Sequence, residues 1–262
     1  MKGYLSSLRC DLSRALSGIG FFVAVLATVV IQLQAVLEEL LMPGGDVIYY
    51  LDLTLGTGYM QMLMPAVGTL CFSRVLQKDR ESGYMIYEKY RVPRDAYVFS
   101  KITACFLGAW LSVVCGMLLF VGIVALKVPM VSEAAFVNMD AYETGLFGRL
   151  LGEQKYLAYV LCIVCVRGLI AGAWSLVGMA ASTISKERMM AYTAPFLIAY
   201  GIQILCNAVG ITLTPDRLDR GRIGGYTAMR SPLAGFLMVL AEVGFLSVCA
   251  IVFIRRMEKR RD

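Results

Sequence analysis

The chain contains no histidine. That removes Ser-His-Asp and Cys-His catalysis and most zinc or haem ligation. It also has no GxxxxGKS/T phosphate loop, so it does not bind ATP by the usual route. Charge is scarce. Only 17% of the 262 residues are Asp, Glu, Lys or Arg, against about 25% in soluble domains. The deficit comes from six stretches that are almost free of charge, which marks a polytopic membrane protein. Together the six account for the length, so residues 1–262 are expected to form a single transmembrane domain. A signal-peptide cleavage site is missing as well. The first apolar run begins near Ile19, exceeds 18 residues and is followed by no small-residue site, so it is expected to remain as a span.

Cysteine is present eight times, at Cys10, Cys71, Cys105, Cys115, Cys162, Cys165, Cys206 and Cys249. Nearly all lie in or beside apolar runs and read as free thiols. Cys162 and Cys165 form a CxxC inside an expected span, with no second pair, and do not read as a redox or zinc site.

Leu5, Leu8, Leu12 and Leu16 recur at helical spacing among Lys2, Arg9, Asp11 and Arg14. Residues 1–17 therefore read as an amphipathic helix lying in the membrane interface. Spans are expected at about 19–37, 58–76, 101–126, 156–185, 189–211 and 232–254. Glu38, Glu39, Pro43, Gly44 and Gly45 mark the first loop. Pro65 falls inside the second span, where neighbouring helices can satisfy the freed carbonyl. In the loop before the fourth span, Leu146, Phe147, Leu150 and Leu151 suggest one or two turns of amphipathic helix. The whole is expected to be an all-α membrane protein with six transmembrane helices.

Lys and Arg set its orientation. The N-terminus, residues 74–101, the turn at 186–188 and the C-terminal tail together hold 17 of them, and the opposite loops hold 7. The richer side is expected to be cytoplasmic, with both termini inside.

One segment breaks the apolar pattern. Residues 74–101 carry seven Lys/Arg and four Asp/Glu between two spans. A single helix is expected from Asp79 to about Tyr90, with Leu76, Tyr84, Tyr87 and Tyr90 as its bulk. Lys78, Asp79, Arg80, Glu81, Glu88 and Lys89 are expected to stay wetted. Pro93 then breaks the helix, and Arg94 and Asp95 open the next one. Topology alone needs a few Lys or Arg. Mixed charge interleaved with tyrosine suits a protein–protein surface.

The order of these elements, with Glu81-Ser82-Gly83, Arg91, Tyr97-Val98-Phe99-Ser100-Lys101 leading into a span, and Pro195-Phe196 early in span five, resembles the permease subunit of ABC-2 type (type V exporter-like) ABC transporters. The resemblance covers the layout of essentially the whole chain. It implies a cytoplasmic coupling helix in residues 77–100, at about Asp79–Tyr90, with Asp79, Arg80, Glu81, Gly83, Tyr84, Tyr87, Glu88 and Arg91 as the ATPase-coupling residues. It implies a separate ABC ATPase subunit that binds ATP and Mg, a second permease subunit in a homodimer or heterodimer, and no cofactor or catalysis on this chain. Export across a bacterial cell membrane follows from the same resemblance.

Charges inside spans cost about 2.5–3.5 kcal/mol each at a helix centre. Arg167 and Glu242 lie at equal expected depth with opposite sign, as a structural pair, as part of a substrate pathway, or without contact to each other. Tyr200, Gln203 and Asn207 share one face of span five and either line a pathway or hold helices together. Gly168 and Gly172 form a GxxxG that marks close helix contact. Two other classes share parts of the pattern. Glu38-Glu39 resembles the paired glutamates of membrane-embedded proteases, which also need histidines. A channel or membrane scaffold without an ATPase partner fits the spans alone.

Overall fold

The computed structural model describes residues 2–41, 45–56, 59–89, 92–132, 147–185, 187–209 and 232–259, and among them every regular element is helical. The segment expected to be interfacial is a helix, α1 (Lys2–Ser17). Gly18, in extended conformation, turns the chain into α2 (Ile19–Val36). Helices α3 (Val47–Gly56) and α4 (Tyr59–Thr69) follow, then two short helices, α5 (Val75–Glu81) and α6 (Tyr84–Lys89). The rest are α7 (Arg94–Ala125), α8 (Gly148–Gly152), α9 (Tyr156–Ile184), α10 (Met190–Ala208) and α11 (Pro232–Lys259). Among the described residues α2, α7 and α9 are long and apolar enough to cross a membrane, and α10 is a shorter apolar helix.

At 1.5 Å per residue, the 32 residues of α7 span about 48 Å, well beyond a hydrocarbon core of about 30 Å. It begins directly after Pro93, where the sequence places the start of a new helix. The central element is α9, which packs on α4, α7, α10 and α11. Its GxxxG face is a contact face: a Cβ on Gly168 would sit 2.5 Å from the Trp110 ring, and one on Gly172 would sit 2.9 Å from the Phe106 ring. Trp110 also donates its indole N–H to the Cys165 carbonyl at 3.1 Å. The expected turns of helix near Leu150 and Leu151 are α8. All eight cysteines are free thiols, with Cys10 and Cys249 exposed.

Three expectations are corrected. The first loop contains a helix, α3, because Asp46 caps it: its carboxylate accepts the Tyr49 N–H at 2.7 Å and the Ser132 N–H at 3.1 Å. The second span is not one helix over 58–76. Helix α4 stops at Thr69 and the chain turns through residues 70–74 before α5. Hydroxyls of Thr69 and Ser73 bond back to the carbonyls of Ala66 and Thr69, each at 2.6 Å, which offers the backbone an alternative to the helical ladder. Ser182 of α9 donates to the Ser73 carbonyl at 3.2 Å, so a group freed by the turn is satisfied. Third, the lobe expected as one helix over Asp79–Tyr90 is two. Gly83 lies at φ 71 and ends α5, with the Ser82 and Gly83 N–H groups closing onto the Lys78 and Arg80 carbonyls.

Two apolar clusters organise the molecule. The larger lies among the long helices. The smaller joins Val75 and Leu76 of α5, Tyr97, Val98 and Ile102 of α7, Leu176 and Met179 of α9, and Ala250 and Ile254 of α11. It gathers the charged segment and the neighbouring ends of three long helices at one end of the bundle.

Candidate functional site: a buried charge joint

Four ionised side chains meet where α1, α5 and α7 converge. Lys101 of α7 is fully buried, and Asp11 of α1 and Asp79 of α5 are nearly so. The Lys101 ammonium pairs with Asp11 and lies 2.9 Å from Asp79 Oδ2. Arg14 of α1 donates to Asp79 Oδ1 at 2.8 Å and stands 3.6 Å from Asp11. Two cations thus face two carboxylates, and the group is neutral as a whole.

The remaining acceptor positions are also used. Tyr97 donates its hydroxyl to Asp79 Oδ2 at 3.1 Å, and Ser100 donates to Asp11 Oδ2 at 2.8 Å. Ser7 and Ser100 share a hydrogen bond at 3.0 Å, as do Tyr4 and Thr103. The Tyr84 ring covers both cations, with Arg14 at 5.0 Å and Lys101 at 5.5 Å from its centroid, a favourable cation–π geometry.

This arrangement reverses the expected wetting of Asp79. It also sets how α1 is turned. Ser7, Asp11 and Ala15, spaced four apart, face the protein, while Leu5 is exposed. The polar stripe holds the helix to α7, while Leu5 is left for the surroundings and Leu8, Leu12 and Leu16 are half-buried at its flanks.

A second set of ties reaches the C-terminal helix. Arg80 of α5 pairs with the buried Glu258 of α11. Arg255 of α11 lies 3.4 Å from Asp95 and 5.0 Å from the Phe99 ring centroid. Glu81 is exposed, accepts from the Gln77 amide at 2.9 Å and is 4.0 Å from Arg188.

The residues expected from the sequence therefore separate. Asp79 and Tyr84 belong to the joint, Arg80 to the tie with α11, and Gly83 to the break between α5 and α6. Tyr87 is 73% exposed on α6, and Glu88 lies in the same helix. Arg91 is outside the described residues. Arg167 is buried in α9, and Glu242 is half-buried in α11, which packs against α9. Tyr200 is exposed on α10 and stacks on Phe196 with ring centroids 6.2 Å apart. Gln203 is half-buried on α10, and Asn207 lies in its last turn.

Sequence reasoning missed Asp11, Arg14, Lys101 and Ser100 as site members. Their signal was positional. Ser7, Asp11 and Arg14 fall on one face of α1, and Tyr97, Ser100 and Lys101 fall on one face of α7.

The joint is structural in its chemistry. Among the described residues no cluster of His, Cys, Asp and Glu could hold a metal. What the joint can do is fix three elements to one another. Burial opposes ionisation of Asp79, but the hydrogen bonds and charges of Arg14 and Lys101 outweigh it and hold the carboxyl below its usual value. A lowered folded pKa contributes stability above the unfolded value of about 3.9, and this is lost as pH falls through the folded one. The thermal midpoint in detergent should therefore be insensitive to this group above about pH 5 and decline below about pH 4. Asp79→Asn should remove that part of the decline.

Comparison of the chain with protein-family models, with curated proteins and with solved structures finds no match in any of the three.

Proposed function

We propose that the chain is the membrane-spanning permease subunit of an ABC-2 type (type V exporter-like) ABC transporter in a bacterial cell membrane. In this reading it has six spans with both termini in the cytoplasm. A separate ABC ATPase subunit docks on α5 and α6, a second permease subunit completes the transport unit, and ATP and Mg belong to the ATPase. The chain itself catalyses nothing. Arg167, Glu242, Tyr200, Gln203 and Asn207 are the candidates for the intramembrane pair or pathway.

The observation that carries the reading is the joint. An amphipathic helix, a mixed-charge lobe and the first turns of a 32-residue helix are locked by one buried ion network. A surface lobe that only enforced topology would have no use for three elements fixed in this way. A lobe that receives force from a partner would, because force applied to α5 and α6 passes directly into α7. The exposed Tyr87 supplies an aromatic anchor of the kind that protein interfaces favour.

Copurification tests the proposal. Tagged chain expressed in its native host is expected to bring down an ABC ATPase. Tyr87→Asp is expected to lower the yield of that ATPase at least about tenfold, as loss of an interface anchor does, with an unchanged thermal midpoint. Wild-type chain that never retains an ATPase, or a Tyr87→Asp variant that retains it fully, sinks the reading and leaves a channel or scaffold.

A further inference from the structure

A second cationic site lies beside the joint but is not part of it. A cavity of about 490 Å³ opens where the α1–α2 corner, the turn at 70–74, α5 and the start of α10 meet. Four cations line it, Arg14, Arg74, Lys78 and Arg188, against one carboxylate, Glu81. Arg14 is engaged by the joint, and Arg188 stands 4.0 Å from Glu81. Among the described residues the other two cations, Arg74 and Lys78, have no carboxylate partner within ion-pair distance. The Arg74 guanidinium lies over the Tyr192 ring at 5.7 Å, and its Nε is buried without a hydrogen-bond partner. A buried donor left without an acceptor is costly unless something else supplies one.

The surroundings indicate what supplies it. Gly18 is the corner between the interfacial helix and the span, which is headgroup depth for a chain that enters a bilayer there. Ile19, on the cavity rim, is 82% exposed. From it an apolar stripe runs along α2 through Phe22, Leu26 and Val30, all exposed and spaced three to four residues apart. A basic pocket at the base of an exposed apolar stripe matches a molecule with an anionic head and a long apolar tail. An inorganic anion would use the pocket and leave the stripe bare.

We propose that this cavity binds the phosphate of an anionic phospholipid, with Arg74 and Lys78 as its principal ligands and the acyl chains along the exposed face of α2. Arginine presents a fork of donors that suits phosphate, and lysine adds a point charge. Basic pockets between helices at a membrane surface are a recurring headgroup site. The proposal needs only that the chain lies in a membrane, so it stands or falls apart from the transporter reading.

The test uses the purified full chain in neutral detergent micelles containing phosphatidylcholine, with phosphatidylglycerol titrated in and the thermal midpoint followed. The wild-type midpoint is expected to rise saturably with phosphatidylglycerol, as for any ligand that binds the folded state. In Arg74→Gln/Lys78→Gln the half-point of that rise should move at least about tenfold higher. Lys78→Gln alone alters only an exposed side chain, keeps the test valid if the double variant folds poorly, and should shift the half-point in the same direction. Variants that respond as the wild type does overturn the proposal. An equal rise with millimolar inorganic phosphate alone assigns the pocket to a soluble anion and overturns it too.

Discussion

Lys101→Met is expected to destabilise the chain by about 3–5 kcal/mol, the usual cost of removing one partner from a buried ion pair. The residue is fully buried, and its ammonium answers two carboxylates on two other elements. Without it, Asp11 and Asp79 share Arg14 alone, and one negative charge is left over among buried carboxylates. Methionine nearly matches the lysine stem, so little of the loss comes from packing. The thermal midpoint in detergent should fall by about 10 °C or more, and limited proteolysis should open the α1–α2 corner first. The informative contrast is the quadruple variant Asp11→Leu, Arg14→Met, Asp79→Leu, Lys101→Met. Replacing a whole buried ionic group with apolar side chains of similar size is often neutral or mildly stabilising. It should therefore be more stable than Lys101→Met alone. If it is equally unstable, shape rather than uncompensated charge holds the joint, and the account given for Lys101 is wrong.

The long helices were legible because their information is local. The run from Ile19, the Pro93–Arg94 start of α7, and Tyr156 and Pro232 as first residues of α9 and α11 all follow from hydropathy and helix-breaking chemistry. The GxxxG of α9 marks a contact face, against Trp110 and Val114 at Gly168 and Phe106 at Gly172. Asp46 followed by an apolar run is a readable N-cap signal, and the nearby Pro43, Gly44 and Gly45 obscure it. The joint was not legible, because it depends on tertiary partners. Charged residues at Asp11, Asp79 and Lys101 look identical in sequence whether they face water or one another. Only the approach of α1 to α7, far apart along the chain, decides it. Lys101 enters the sidedness balance as a surface charge would, and the fold buries it.

The turn at 70–74 gives the last expected result, and the same substitution at two glycines should change sign. A Cβ on Gly20 of α2 would lie 2.4 Å from the Leu70 carbonyl oxygen and 2.8 Å from that of Cys71. Both obstacles are backbone, in a turn held by Ser182, so neither can swing aside. Gly20→Ala must therefore push α2 off the turn, at a cost of about 1–3 kcal/mol or more. Because α2 begins two residues after α1 ends, that displacement reaches the corner that carries Arg14, and Gly20→Ala should loosen the joint without touching any of its charges. Gly122, exposed on α7, has open space where its Cβ would go. There alanine should be neutral or stabilising by up to about 1 kcal/mol, through its better helix propensity. Thermal midpoints of the two variants, measured side by side, decide the matter. A Gly20→Ala variant as stable as the wild type would mean that the turn yields, and that the close approach of carbonyls to α2 does not brace the corner. A destabilised Gly122→Ala would mean that another chain covers that face of α7, which is the expected outcome only if the face is buried between two permease subunits.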